Sequence, residues 1–235
     1  MLVATRGIVL KSHKFQESSL IVKLFTESHG VQTFMVKGVR SVKANGKAAM
    51  FQSGMLLDFI MYYQENKSFK MFKEYKAAYV YDNAIYEIRK SSILMFLIEV
   101  IEQCIHADNE DDQLFNFIFT SLQELDKQTF NPDFHLYFLL HFMQHLGIYP
   151  SANYTENLNY FDIKEGCFTA SFGSNPFVLN QEDSGLIVQL LNKKALQFNR
   201  QQRKKAIHLL LDYYNYHIEN FKGVKSLQVL ETVLS

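Results

Sequence analysis

The chain of 235 residues has no tryptophan and only two cysteines, Cys104 and Cys167, which lie far apart in sequence. Two thiols cannot build the multi-bridge framework on which small secreted folds depend, so a reducing compartment is expected. No stretch of about 18 uninterrupted apolar residues occurs, and the opening MLVATRGIVLKSHKF carries Arg6 and Lys11 within its first apolar stretch, unlike a secretory leader. The expectation is a soluble, cytosolic protein. Internal repeats and low-complexity linkers are absent as well. Catalytic signatures are equally scarce. Asn45-Gly46-Lys47-Ala48 superficially resembles a phosphate loop, but Gly38 lies too far upstream and Ala48 has no hydroxyl to offer magnesium.

What is present is a globular composition, with 48% hydrophobic and 20% charged residues and with 21 Phe and 13 Tyr in place of tryptophan. The length suits one large or two modest domains. The formal net charge of zero hides an asymmetry: residues 1–80 hold 12 Lys and Arg against 5 Asp and Glu, whereas the remainder holds 12 against 19. The first third therefore has the electrostatic footprint of a polyanion-binding module, although an ordinary solvated basic surface would carry the same charge.

From Val3 to about Ala78, apolar residues recur with period two in short runs broken by glycine or polar clusters, the pattern of strands. Five are expected, at Ala4–Lys14, Ser19–Thr26, Val31–Gly38, Met55–Tyr63 and Ser68–Tyr75, with Gly30 at positive φ in the second turn. Five short strands in so few residues suit a partly open Greek-key barrel of the OB kind, with an SH3-like barrel as the rival. The connection GVRSVKANGKAAMFQSG reads as a long basic loop with at most one helical turn. After Tyr81 the period becomes helical. Helices are expected at Asn83–His106, Asp111–Lys127, Pro132–Leu146, Gln181–Leu191 and Gln201–Asn220, with a terminal turn at Ser226–Leu234 and a hairpin inserted near 158–172. Pro132 is placed at the first position of the third helix. The fold class is α+β, with an OB-like barrel over 1–80 and a helical domain over 81–235.

Three constellations bear on chemistry. Lys37, Arg40, Lys43 and Lys47 stand three to four residues apart in a loop free of acids, and Lys70 and Lys73 interleave with Phe59, Tyr62, Tyr63, Phe69 and Phe72. Bases stack on aromatic faces while cations follow the phosphates, but alternation sends about half of these rings into a core, leaving one or two to stack. If each loop cation neutralises one phosphate, removing all four lowers the salt slope of single-strand binding by about 3. Arg200, Arg203, Lys204 and Lys205 crowd a helix start, where the dipole disfavours cations and an anionic partner would favour them; a solvated face explains them equally well. His141 and His145, four apart on a helix, could share a metal with a carboxylate such as Asp212, but the H-E-x-x-H glutamate is missing and packed helix histidines are the simpler reading.

The segment RGIVLKSHKFQESSLIVKLFTESHGVQTFMVKGVRS resembles the N-terminal domain of the RecO family. The likeness runs through Gly7 and Leu10, Phe15 with Glu17 and Ser19, Thr26 with Gly30, and Lys37, Gly38 and Arg40. The closing HIENFKGVKSLQVLETVL, around Lys225, Ser226 and Leu230, is similar to the family's C-terminal signature. KSSILMFLIEVI, LFNFIFTSLQELD and FHLYFLLHFMQHLGIYP resemble its helical core, particularly in Bacteroidetes-like forms. The resemblance implies a non-enzymatic, cytoplasmic and nucleoid-associated mediator of DNA repair and recombination. Such a protein binds single- and double-stranded DNA, anneals complementary strands, engages the acidic tail of single-strand binding protein, and works with RecR to load RecA. Many members carry a four-cysteine zinc module in the helical domain. Only Cys167 stands in that region here, so neither zinc nor any other cofactor is carried over. DNA contacts are expected at Lys37, Arg40, Lys43, Lys47, Lys70 and Lys73, and the tail at Arg200, Arg203, Lys204 and Lys205. A metal-dependent nucleic-acid enzyme and a protein-binding scaffold are the alternatives.

Overall fold

The computed structural model describes residues 1–41, 44, 46–105, 110–192 and 198–234. The chain forms two compact units, Met1–Thr129 and Phe130–Ser235. The first holds strands β1 (Leu2–Phe15), β2 (Ser19–Thr26), β3 (Gly30–Val36), β4 (Leu56–Tyr62) and β5 (Met71–Ala77), then helices α1 (Ile88–Cys104) and α2 (Asp112–Lys127). Antiparallel pairing orders the strands β3-β2-β1-β4-β5. A parallel bridge between Phe34 and Lys70 brings β3 and β5 together, with Lys70 N–H donating to the Thr33 carbonyl (2.8 Å) and Met35 N–H to the Lys70 carbonyl (3.1 Å). The circuit β1-β2-β3-β5-β4 is an OB-like barrel.

Period-two alternation sends Val9, Val22, Leu24, Phe34, Leu57, Phe59 and Met61 into the barrel core. Phe72 stacks on Phe34 with centroids 4.3 Å apart, and Phe59 meets both edge-on. Such aromatic pairs add about 0.5–1.5 kcal/mol each beyond their burial. Gly7 leaves room for these rings: a Cβ there would stand 2.8 Å from Phe59 Cε1 and 2.9 Å from Leu24 Cδ2. The loop after β3 supplies the anticipated helical turn as a 3₁₀ segment, Lys47–Phe51, entered through Gly46 at φ 75°. Its Phe51 is fully buried in the barrel core, against Tyr75.

The run Gly7–Leu10 is buried on both faces, as expected of a strand covered on two sides. Val9 faces the barrel, while the opposite face meets the helices: Phe25 packs on Phe115 of α2, and Lys11 and Lys23 both reach Glu102 of α1. The period changes near residue 80, where strands give way to helices, and the first compact unit runs on to Thr129. β5 begins at Met71 rather than near Ser68, because residues 63–70 are spent on the β4–β5 connection, folded back by Lys67 N–H on the Gln64 carbonyl.

The second unit holds α3 (Phe134–His145), the hairpin β6 (Tyr160–Asp162) and β7 (Cys167–Thr169), α4 (Gln181–Leu191), α5 (Arg200–His217) and α6 (Leu227–Val233). Pro132 lies ahead of α3 rather than at its first position; Asp133 is the N-cap, its own N–H held by the Asn131 side chain (2.9 Å). The hairpin is held by polar bonds. Asp162 Oδ1 accepts the N–H groups of Lys164 and Glu165, and Asn153 brackets Phe168 through both backbone groups. Gly166, at φ 65°, makes the turn; a Cβ there would stand 2.6 Å from the Tyr213 hydroxyl oxygen.

Candidate nucleic-acid interface

The barrel's cations divide into those the fold engages and those it leaves over. Glu27 takes Arg6, whose guanidinium also covers the Phe119 ring. Hydrogen bonding to Arg6 holds the Glu27 carboxyl below the usual range despite some burial. Glu102 takes Lys11 (3.1 Å) and Lys23 (3.7 Å), Asp58 takes Lys76 (3.9 Å), and Glu74 lies 3.9 Å from Lys73. Lys14, Lys37, Lys47 and Lys67 have no ion pair among the described residues, and all four are exposed.

Lys37 follows β3 directly, and Lys47 opens the 3₁₀ turn. Arg40 is half-buried: its backbone N–H donates to the Ser18 carbonyl (3.0 Å) and its Nη1 to the Gln16 carbonyl (3.1 Å), fastening this loop to the β1–β2 turn. Lys43 lies outside the described residues. Lys73 is exposed on β5. Lys70 corrects the sequence expectation. It is 5% exposed, and its ammonium donates to the Lys67 carbonyl (2.9 Å) and to that of Gln64, beside the Tyr63 ring. An ammonium has three protons to donate, so this lysine organises the β4–β5 connection instead of facing a phosphate.

Among the candidate stacking rings, Phe59 belongs to the core, Phe72 packs against it and Tyr63 lies against His29 (4.2 Å). Tyr62 and Phe69 remain half exposed. Lys14 and Lys67 are not among the candidates that the sequence pattern offers. No local signal separates them from Lys11 or Lys23, because the acid that engages those two stands on α1, up to 91 residues away.

The basic cluster of the second unit is also reassigned in part. Arg203 Nε donates to Asp133 Oδ1 (2.6 Å) and Nη2 to the Phe198 carbonyl (2.8 Å), so it is a packing residue rather than a surface cation. Lys205 pairs with Asp183 and Glu182, and the hydrogen bond to Asp183 raises its pKa. Lys204 reaches Glu231 (3.2 Å), while Arg200 is exposed without an ion pair among the described residues. The start of α5 is closed by a capping box, in which Asn199 accepts from Gln202 N–H and Gln202 accepts from Asn199 N–H. The N–H groups that this box engages are closed to any external acceptor. Beside them opens a cavity of about 170 Å³ between α5 and α6, with Arg200, Lys204, Glu231, Ile207, Leu230 and Leu234 among its lining.

His141 and His145 lie on α3, and no group of three or more potential metal ligands gathers among the described residues. Cys104 is buried, which pushes its thiol pKa well up and leaves it unreactive. No helix among the described residues is long and apolar enough to cross a membrane.

An OB-like barrel with uncommitted cations, followed by a helical region with a small hairpin, defines a class of OB-barrel proteins with a helical C-terminal part. Residues 1–81 match the family model described as Recombination protein O N terminal, and residues 85–228 match Recombination protein O C terminal. The chain is 35% identical to the DNA repair protein RecO of Flavobacterium johnsoniae over 240 residues, covering 100% of both chains. It is 33% identical to that of Flavobacterium psychrophilum, again over 100% of both, and 32% identical to that of Bacteroides fragilis over 98% of both. The chain belongs to the RecO family of DNA repair proteins.

Proposed function

We propose that this protein is a recombination mediator that binds single- and double-stranded DNA on its barrel and anneals complementary strands. In this reading it works with RecR to load RecA onto DNA covered by single-strand binding protein. The observation that carries the DNA-binding part is the division of cations: Arg6, Lys11, Lys23 and Lys76 are engaged by acids, whereas Lys37 and Lys47 remain uncommitted on a loop that holds no acid. Phosphate neutralisation draws most readily on such free ammonium groups, because a paired lysine must first give up its carboxylate. Half-exposed Tyr62 and Phe69 supply faces on which bases stack.

The test is binding to a labelled single strand across a salt series. Replacing Lys37, Lys43 and Lys47 together by alanine in the full chain is expected to lower the slope of log K against log salt by about 2, at about 0.7 per contact. A slope unchanged in the folded variant would move the DNA site off this loop.

In the same reading, the acidic tail of single-strand binding protein docks at the cavity between α5 and α6. Its lining sets Ile207, Leu230 and Leu234 beside Arg200 and beside Lys204, which would exchange Glu231 for the ligand; this combination suits a peptide with an apolar end and a carboxylate. Charge-assisted hydrogen bonds are worth about 1.5–3 kcal/mol, so Arg200→Glu or Lys204→Glu should weaken an acidic tail peptide by about tenfold or more in fluorescence anisotropy. Binding within twofold of wild type in both variants would remove this site.

A further inference from the structure

β1 contains one irregularity, and it decides where Lys14 points. Up to Val9 the odd-numbered residues face the barrel interior: Gly7 would press a Cβ on Phe59 and Leu24, and Val9 belongs to the core. The β1–β2 register then shifts between Val9 and Lys11. Beyond it, Ser12 stands opposite Val22 and Lys14 opposite Leu20, and both partners are core residues. Directly opposed residues of an antiparallel pair share a face. The bulge has thus moved the even-numbered residues to the interior face, an effect bulges commonly have on a side chain's aim. By Lys14 the strand is at the end of the barrel, so this interior-facing lysine is exposed at its mouth.

Leu20 in turn opposes Val36, and Lys37 follows immediately. The two bonds of Arg40 to the Ser18 and Gln16 carbonyls fasten the turn after Lys14 to the loop after Lys37. Gln16 holds φ 51°, a left-handed conformation uncommon for a non-glycine residue. Glu17 is the single acid of this turn, and it is exposed.

We propose that Lys14 is a DNA-phosphate contact at the barrel mouth, and that Arg40 is a positioning residue that holds the β1–β2 turn so that Lys14 meets the strand. This rests on the DNA-binding reading above and adds to it a residue and a division of labour. Lysine at position 40 keeps the charge but not the guanidinium arm that reaches Gln16.

The experiment is a double-mutant cycle of Lys14→Ala and Arg40→Lys in the full chain, with single-strand binding measured between 0.05 and 0.2 M salt. With about 0.7 in slope per contact and 1 M as reference, Lys14→Ala should weaken binding about threefold at 0.2 M and about eightfold at 0.05 M. Arg40→Lys should weaken binding although no charge is lost. In its background, Lys14→Ala should then cost less than about twofold at 0.05 M, because the contact has already been displaced. Lys14 is exposed, so its variant is expected to fold, and unchanged circular dichroism and melting temperature confirm it. If Lys14→Ala leaves the affinity at 0.05 M unchanged, the contact is refuted. An equal Lys14→Ala effect in both backgrounds refutes the positioning role. Absence of salt-dependent binding in the wild type would instead sink the DNA-binding reading itself.

Discussion

Asp126→Ala is expected to destabilise the first unit by about 3 kcal/mol. Asp126 is fully buried near the end of α2, and its two carboxylate oxygens take four donors from the segment leading into α1. These are the Tyr79 hydroxyl (2.7 Å) and the backbone N–H groups of Asp82 (3.0 Å), Asn83 (2.7 Å) and Ala84 (2.6 Å). An unsatisfied buried donor costs about 1–3 kcal/mol, and part of this is recovered because Asp82 and Asn83 lie near water. Lys90 completes the joint. Its buried ammonium donates to the carbonyls of Asp126 and Gln128, both at 2.7 Å, and closes the C-terminal end of α2.

Burial by itself would raise the Asp126 pKa, but the donors together outweigh it and hold the carboxyl below its ordinary 3.8. A carboxylate with a depressed folded-state pKa contributes stability that is present above the unfolded value and lost as the pH falls through the folded one. The part of the first unit's stability that depends on Asp126 should therefore be constant from neutral pH down to about 4 and fade below it. Urea denaturation of wild type, Asp126→Asn and Asp126→Ala, followed by circular dichroism and tyrosine fluorescence, measures this. A loss under about 1 kcal/mol for alanine at neutral pH would mean that water replaces the carboxylate at little cost.

Arg203→Met should cost the second unit about 3–5 kcal/mol, through the charge it strands. The side chains of Arg203 and Asp133 are 13% and 4% exposed, and removing one partner of a buried pair leaves the other uncompensated. Replacing both, as Arg203→Met with Asp133→Leu, should recover part of the loss, because desolvation offsets much of a buried pair's attraction. A single variant within about 1 kcal/mol of wild type would refute this. Peptide-binding tests should accordingly use Arg200 and Lys204, since an Arg203 variant would mix any loss of binding with a loss of stability.

The same region makes the second unit sensitive to mild acid. Burial, and then the charge of Arg203, push the His135 pKa from 6.5 down to about 3, so the imidazole is neutral in the folded protein. The unfolded chain binds the proton first. Stability is therefore complete above about pH 6.5 and falls by about 1.4 kcal/mol per pH unit below it, until His135 titrates in the fold. This window lies above that of Asp126, so acid should loosen the second unit at higher pH than the first.

The period of the apolar pattern determined the element types, because alternation and helical spacing are local properties that burial imposes on neighbouring residues. The strand β2 and the helix α4 have the bounds read from the chain, and the basic first third and the loop of Lys37 and Lys47 were equally legible. Which cations are free was not, since their partners are distant in sequence: Glu102 takes Lys11 and Lys23, and Asp133 takes Arg203 from 70 residues away. Lys70 shows the same limit. Its spacing among aromatics suggested a DNA contact, but the closure of β3 on β5 bends the preceding connection around it and surrounds its ammonium with carbonyls. The bulge in β1 left no compositional mark, although it sets the direction of Lys14. Local sequence thus settled what each segment becomes, while tertiary packing decided which charges are spent on the fold, because a buried charge needs a partner and only the folded chain brings one to it.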